Sequence, residues 1–180
     1  MKTPILETER LLLREIHSTD VNDIFNCWMQ DEEVSKYMCW KASNDIAKTK
    51  EFVEHELEQV ENSKWNRWII VLKETKKIIG TCLVFYNEED RDNHWDISYN
   101  LGKLYWGKGY ITEAMMQVIK FAEKELGMKE CITAYAAVNK ASANVLHKLG
   151  FKDESKISYE CNGGDIVTVG IMCRYTSKNS

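Results

Sequence analysis

A ten-residue stretch, Tyr105-Trp106-Gly107-Lys108-Gly109-Tyr110-Ile111-Thr112-Glu113-Ala114, joins a double-glycine loop directly to an amphipathic helix and constrains this chain more than any other segment. Behind it, apolar residues recur at Ile111, Met115, Val118, Ile119, Ala122 and Leu126, the three-and-four spacing of a helix that buries one face. The helix is therefore predicted to begin between Tyr110 and Thr112. Its first-turn N–H groups have no internal partners and its macrodipole adds roughly half a positive charge there, so a phosphate is the natural occupant. Gly107 and Gly109 remove the Cβ atoms that would hold a ligand away from the backbone, and they permit positive φ. Lys108 adds a full charge. Two rival phosphate loops do not fit. The P-loop pattern needs Ser or Thr after Gly-Lys, and Gly109 stands there. The dinucleotide fingerprint needs a third glycine or alanine where Thr112 stands. A tight strand-to-helix turn without a ligand is the plain alternative.

A second motif follows about thirty residues on: Asn139-Lys140-Ala141-Ser142-Ala143-Asn144-Val145-Leu146-His147-Lys148-Leu149-Gly150-Phe151. Asn139 ends an alternating run from Cys131 to Val138 and is a preferred N-cap, while Gly150 is a C-terminal stop, so the pair brackets one short helix. Together the two motifs resemble the GNAT superfamily of acetyl-CoA-dependent N-acetyltransferases. Their wording is most similar to the branch of ribosomal-protein N-terminal acetylating enzymes (RimJ/RimL-like). The resemblance covers most of the chain, because Thr8-Glu9-Arg10-Leu11-Leu12-Leu13-Arg14 and Val34-Ser35-Lys36-Tyr37 also match that branch.

Composition agrees with one enzyme domain spanning residues 1–180. With 180 residues, 44% of them hydrophobic, the chain can bury one substantial core and has no room for two ordinary domains. One proline and nine glycines leave no linker. No run approaches the length of a membrane span, and Met1-Lys2-Thr3-Pro4 lacks the apolar stretch of a signal peptide, so a cytoplasmic protein is expected with no membrane partner. The six cysteines, at 27, 39, 82, 131, 161 and 173, form no metal-ligand spacing and are expected as reduced structural thiols, with no metal. A net charge of −4 argues against a nucleic-acid partner and suits a cationic amine better.

The order of elements carries the topology. Arg10 to Ile16 reads as a strand, and Ser18-Thr19-Asp20 as the cap of a helix with Val21, Ile24, Phe25 and Trp28 on its apolar face. A short helix is expected from Asp31 to Tyr37, and a longer one opened by Ser43 to Asp45, carrying Ile46, Val53, Leu57 and Val60 and ending near Asn62. Trp65 to Lys73 and Lys77 to Tyr86 form a hairpin around Glu74-Thr75-Lys76, and the charged run Asn87 to Asn93 is a loop. His94 to Leu101 is the next strand, then the glycine loop and its helix, a strand from Glu130 to Val138 and a helix from Ala141 to Leu149. Two final strands flank Asn162-Gly163-Gly164-Asp165, a strong hairpin signal. Strands that neither alternate strictly with helices nor run consecutively imply an α+β fold, a mixed and mostly antiparallel sheet with helices on both faces. The resemblance implies the same three-layer arrangement, and adds that the strands at His94–Leu101 and Glu130–Val138 splay apart to admit the pantetheine arm of acetyl-CoA.

The strand before the glycine loop alternates strictly. His94, Asp96, Ser98 and Asn100 share one face; Trp95, Ile97, Tyr99 and Leu101 share the other, which is core. The polar face either meets solvent or lines an acceptor cleft. Asp96 stands where many members of the branch have Glu and is the leading candidate to receive the amine proton. His94, with an ordinary pKa of ~6.5 against ~3.9 for Asp, is the second. The resemblance places the diphosphate of acetyl-CoA on the backbone of Trp106, Gly107, Lys108, Gly109, Tyr110, Ile111 and Thr112, and pairs Asn100 and Leu101 with the pantetheine amides, a backbone N–H nearby serving as oxyanion donor. It further gives Asn139 and Ser142 to the pantetheine arm and Lys148 to the nucleotide phosphate. Asn139 as a plain helix cap and Lys148 as a solvated lysine are the alternatives.

Three positions depart from the superfamily pattern. Trp106 replaces the usual Gln or Arg that opens the loop, Ile111 the usual Gly or Ala near its end, and Leu146 the tyrosine that many relatives use to protonate the leaving thiolate. A thiolate with a pKa of ~8.5 can leave unassisted; Tyr110 and Ser142 are the other hydroxyls at hand. In the branch, the first two helices and the final hairpin form the acceptor cleft, here with Trp28, Tyr37, Met38 and Trp40. The aromatic side chains Trp28, Tyr37 and Trp40 either clamp a cationic amine or belong to the core. Three functions remain open: acetylation of a protein or peptide N-terminus, acetylation of a small-molecule amine such as a polyamine or antibiotic, and acetyl-CoA binding without turnover. Either a monomer or a homodimer is compatible with the sequence.

Overall fold

The computed structural model describes residues 3–88 and 93–177, so residues 89–92 of the expected charged loop lie outside the described residues. Among the described residues, eight strands form one sheet: β1 (Leu6–Glu7), β2 (Leu11–Arg14), β3 (Trp65–Leu72), β4 (Ile78–Asn87), β5 (His94–Leu101), β6 (Glu130–Ala136), β7 (Lys152–Cys161) and β8 (Ile166–Thr176). Their spatial order is β1-β2-β3-β4-β5-β6-β8-β7. Every neighbouring pair is antiparallel except β5 and β6, which run parallel and meet at the single register pair Trp95↔Cys131. The helices are α1 (Val21–Ile24), α2 (Glu32–Ser35), α3 (Ile46–Glu58), α4 (Tyr110–Glu125) and α5 (Lys140–Leu149).

Period-two alternation in the central strands divides the core into two layers. In β3, Trp68, Ile70 and Leu72 join Leu11 and Leu13 of β2 beneath α4 and α5, where Met115, Val118, Ala122, Leu146 and Leu149 pack. Ile69 and Val71 of the same strand face the other way, against Ile24 of α1, Trp28 of the turn that follows it and Val53 of α3. Burying side chains of this size contributes ~1.5–3 kcal/mol each, which is why the sheet is covered on both faces. The fold is the expected α+β class, and no helix among the described residues is long and apolar enough to cross a membrane.

Local chemistry accounts for the boundaries. Asp31 and Asp45 cap α2 and α3 by accepting the N–H groups of Glu33 and Ala47, each at 2.9 Å. The first helix differs from expectation: Ser18–Asp20 is a 3-10 turn, and Asp20 is not a free cap. Its buried carboxylate accepts both arms of Arg14, at 2.7 and 2.8 Å, and the N–H of His17 at 2.8 Å. Beyond Ile24 the helix widens into a π turn, Phe25–Met29, which brings Cys27 against Gly102, where a Cβ would lie 2.6 Å from the Cys27 Sγ. Gly102 is thus the residue that lets the first helical layer approach the end of β5. α3 stops at Glu58, short of Asn62, and leaves Leu57 exposed.

Candidate functional site

Past β5 the chain makes a 3-10 turn, Lys103–Tyr105, and enters the glycine loop. Gly107 has φ 73° and Gly109, which precedes α4, has φ 79°, both in the left-handed region where a side chain is strained. A Cβ at Gly107 would meet nothing within 4 Å, and one at Gly109 only the Arg10 Nη2 at 3.6 Å. The space that two side chains would fill is open on the ligand side. The first helical bond runs from Glu113 N–H to Gly109 O at 3.1 Å, so the N–H groups ahead of it have no helical acceptor. An anion such as a diphosphate fits this cradle. The Trp106 indole ties the loop down by donating to Leu101 O at 2.8 Å.

Beside the loop lies a cavity of about 440 Å³ lined by Gly109, Thr112, Met116, Gln117, Lys120 and Lys148, with Thr8 and Glu113 at its wall. It brings Lys148 of α5 to the first turns of α4. Lys120 was not anticipated. Its signal was present in the sequence: Glu113, Gln117 and Lys120 are spaced four and three apart on the polar side of α4, the periodic complement of the apolar stripe.

Between β5 and β6 no backbone pairing follows Trp95↔Cys131, and the next step is bridged by the Thr133 hydroxyl, 3.3 Å from Ile97 O. The strands therefore open toward the glycine loop, the splay that the resemblance implied. Which backbone groups face the gap follows from the ladder. Gly102 N–H donates to Ile79 O at 2.9 Å, so the alternating register puts the backbone of Asn100 and Ser98 toward β4. Ile97, Tyr99 and Leu101 point theirs toward β6. Asn100 is therefore corrected: its backbone pairs with Thr81, and it is Tyr99, with Leu101, whose backbone faces the gap. What Asn100 retains is a buried side-chain Nδ2 without a hydrogen-bond partner among the described residues. Such a donor is costly unless a ligand meets it, by ~1–3 kcal/mol.

Across the gap, Asn139 caps α5 by accepting Ser142 N–H at 3.2 Å, and the Ser142 hydroxyl lies 3.0 Å from Tyr99 Oη. Burial pushes the Tyr99 hydroxyl well above the usual tyrosine range, with the Ser142 bond a smaller opposing effect. Leu146 is 2% exposed in the core beneath this point, so the position of the family's tyrosine carries no acid here.

The opposite face of β5 carries Asp96. Burial raises its carboxyl to about 6, against the smaller opposing effects of the Thr133 hydroxyl, the Ile97 N–H at 2.6 Å and His94. Asp96 stands on the open side of the Trp95↔Cys131 pair; His94 stands on the closed side, by a cavity of about 430 Å³ with Tyr86, Lys129, Glu130 and Arg174. Tyr159 of β7 has its hydroxyl pushed to about 12 by burial first, then by Cys161, Cys39 and Asp96. Tyr159 Oη donates to Tyr37 O at 3.3 Å, Gly163 N–H to Met38 O at 3.4 Å, and Lys41 pairs with Asp165. The final hairpin is thereby joined to the 37–41 segment. Tyr37 and Trp40 are half-buried at this wall. Trp28 is removed from the acceptor set: it is 1% exposed, packed with Ile24 and Val53, and offers no ring face to a ligand.

Comparison with known proteins agrees with this geometry. Residues 10–152 match the family model described as an acetyltransferase (GNAT) domain. An uncharacterized N-acetyltransferase, p20 of Bacillus licheniformis, is 31% identical over 166 residues, 91% of this chain and 92% of its own. The ribosomal-protein-S5-alanine acetyltransferase of Vibrio fischeri superposes with a TM-score of 0.81 at 23% identity, covering 98% of both chains. The microcin C7 self-immunity acetyltransferase MccE, solved with acetyl-CoA and AMP, gives a TM-score of 0.81 at 22% identity over 94% of each chain. With a cradle for an anion, a splayed pair of strands beside it and a family match over most of its length, the chain belongs to the GNAT acetyltransferase family.

Proposed function

We propose that this chain transfers the acetyl group of acetyl-CoA to the α-amine of a protein or peptide N-terminus. The observation that carries the acceptor class is Asp96: a half-buried carboxylate, raised to about 6, on the polar face of β5 at the mouth of the β5–β6 gap. Such a base falls ~2 units short of an α-amine of pKa ~7.7–8.0, but a useful fraction of that amine is already neutral near pH 7.5 and needs the base only for the proton released on attack. It is poorly matched to a lysine at ~10.4. The donor supplies an activated acetyl thioester. The chain supplies position, which in favourable cases lowers a barrier by ~7–11 kcal/mol. The loop 106–112 holds the diphosphate, and the backbone of Tyr99 with the N–H of Leu101 holds the arm, the Leu101 carbonyl being taken by the Trp106 indole. A backbone N–H at the same edge of β5 donates to the acetyl oxygen, and Asp96 receives the amine proton, directly or through one water. The C–S bond breaks as the N–C bond forms, and CoA leaves as a thiolate whose pKa of ~8.5 lets it depart unassisted. Both core layers share one sheet, so we take the chain as a single catalytic unit working in the cytoplasm.

One observation favours a small-molecule amine instead. The final hairpin is tied to the 37–41 segment, the region that the resemblance gives to the acceptor, and a cleft closed on that side suits a slender acceptor such as a polyamine. A competition assay read by mass spectrometry separates the readings: the protein, acetyl-CoA, and one pool of peptides with free or blocked N-termini, a lysine peptide, spermidine and an aminoglycoside. Acetylation of free N-termini alone is the expected result. An acetylated spermidine or aminoglycoside with untouched peptides sinks the N-terminal reading. Bound CoA with no product would identify a binding module, in keeping with Leu146.

A further inference from the structure

The glycine loop is held from outside the motif, by the amino-terminal strand region. Glu113, in the first turn of α4, puts a carboxylate beside the cradle that is to take an anion, an arrangement that repels the ligand unless the charge is answered. It is answered by residues more than a hundred positions away. Thr8 Oγ1 donates to Glu113 Oε1 at 2.6 Å and Arg10 N–H to the same oxygen at 2.9 Å, while Arg10 Nε and Nη2 donate to Oε2 at 2.7 and 2.6 Å. Burial pushes the Glu113 carboxyl up, yet these bonds outweigh it and hold the group below the usual range.

Arg10 does more than neutralise. Its Nη1 donates to Lys108 O at 3.0 Å, and its guanidinium lies 4.5 Å from the centroid of the Tyr110 ring. In a planar trans peptide the carbonyl of one residue and the N–H of the next point in opposite directions. Fixing Lys108 O on Arg10 therefore aims Gly109 N–H away from Arg10. A loop with two glycines has much freedom to lose, and ordering it beforehand removes that loss from binding.

We propose that Arg10, assisted by Thr8, is a positioning residue for acetyl-CoA, fixing the Lys108–Gly109 peptide plane and neutralising Glu113 so that the loop meets the diphosphate already formed. The inference rests on the acetyl-CoA reading of the site. Because the Arg10 side chain is 43% exposed, its ion pair adds little to folding, and its loss is to be read in ligand affinity.

The test uses the full chain, with acetyl-CoA affinity by titration calorimetry and the melting temperature without ligand. Arg10→Met is expected to weaken acetyl-CoA ten- to a hundredfold while the unliganded melting temperature stays close to that of the parent. Adding Glu113→Gln should recover part of that loss by removing the repulsion. Arg10→Lys, which restores the charge but cannot hold Lys108 O and both Glu113 oxygens together, should fall between. If Arg10→Met fails to fold, Arg10→Lys still decides: affinity equal to the parent overturns the positioning role. So does a fall in melting temperature with unchanged affinity. A parent chain that does not bind acetyl-CoA overturns the underlying reading, and this inference with it.

Discussion

Asp96→Asn is expected to lower kcat/KM by about a hundred- to ten-thousandfold, the usual contribution of a positioned general base, while making the folded protein more stable at neutral pH. The two effects have one cause. Burial raises the Asp96 carboxyl from 3.8 to about 6, against the smaller pull of Thr133, Ile97 N–H and His94. In the parent, kcat/KM should rise as pH passes through about 6 and the carboxylate forms. In Asp96→Asn only the limb set by ionisation of the amine itself should remain. The stability effect runs the other way. Between the unfolded value and the folded one, the folded chain holds the proton more tightly, so stability falls as pH rises through that window and levels off above about 6. A displacement of about two units corresponds to ~3 kcal/mol at most, since each unit is ~1.4 kcal/mol. Asparagine carries no charge and escapes that loss. Melting curves should coincide at low pH, where Asp96 is protonated, and separate to a plateau above about 6. A parent rate that stays flat between pH 5 and 7 would take Asp96 out of the proton path.

The same carboxylate shows what was legible in the sequence. Its strand, its face and its neighbours followed from strict alternation, and β5 begins at His94 and ends at Leu101 as that pattern requires. The glycine loop and the start of α4 followed from spacing and turn chemistry for the same reason: both are local. Side-chain periodicity is silent on backbone direction, however, so Asn100 and Tyr99 were not distinguishable until the register with β4 was known. Trp28 failed for a related reason, because a helix that buries an aromatic and a helix that presents one to a ligand have the same spacing, and only the packing against Ile24 and Val53 decides. Asp20 had the identity and position of a cap, but a guanidinium six residues upstream is a stronger partner than a helix N–H. Contacts such as Arg10 with Glu113 or Tyr159 with Tyr37 join segments more than a hundred residues apart, and no local rule reaches that far.

Valine at Gly107 and Gly109 together is expected to weaken acetyl-CoA by about a hundredfold or more. Two separate penalties are involved, and a third glycine separates them. In the left-handed region a non-glycine residue costs ~1–2 kcal/mol in backbone strain, more for a β-branched one, and this falls on the folded protein whether or not a ligand is bound. The second penalty is specific to the ligand: the added side chains occupy the open space at the cradle and keep a diphosphate from backbone N–H groups, each charge-assisted bond contributing ~1.5–3 kcal/mol. Gly127 shares the first penalty without the second. Its φ is 68° against 73° and 79° at the loop, and a Cβ there would likewise meet nothing within 4 Å. It follows the far end of α4, about 24 Å away by the helical rise. Gly127→Val should therefore lower the melting temperature by about as much as either loop substitution does singly and leave the affinity for acetyl-CoA unchanged. Were the loop variants to lose only stability, in step with Gly127→Val, the glycines would be serving the turn and not the ligand, and the diphosphate would have to be sought elsewhere on the chain.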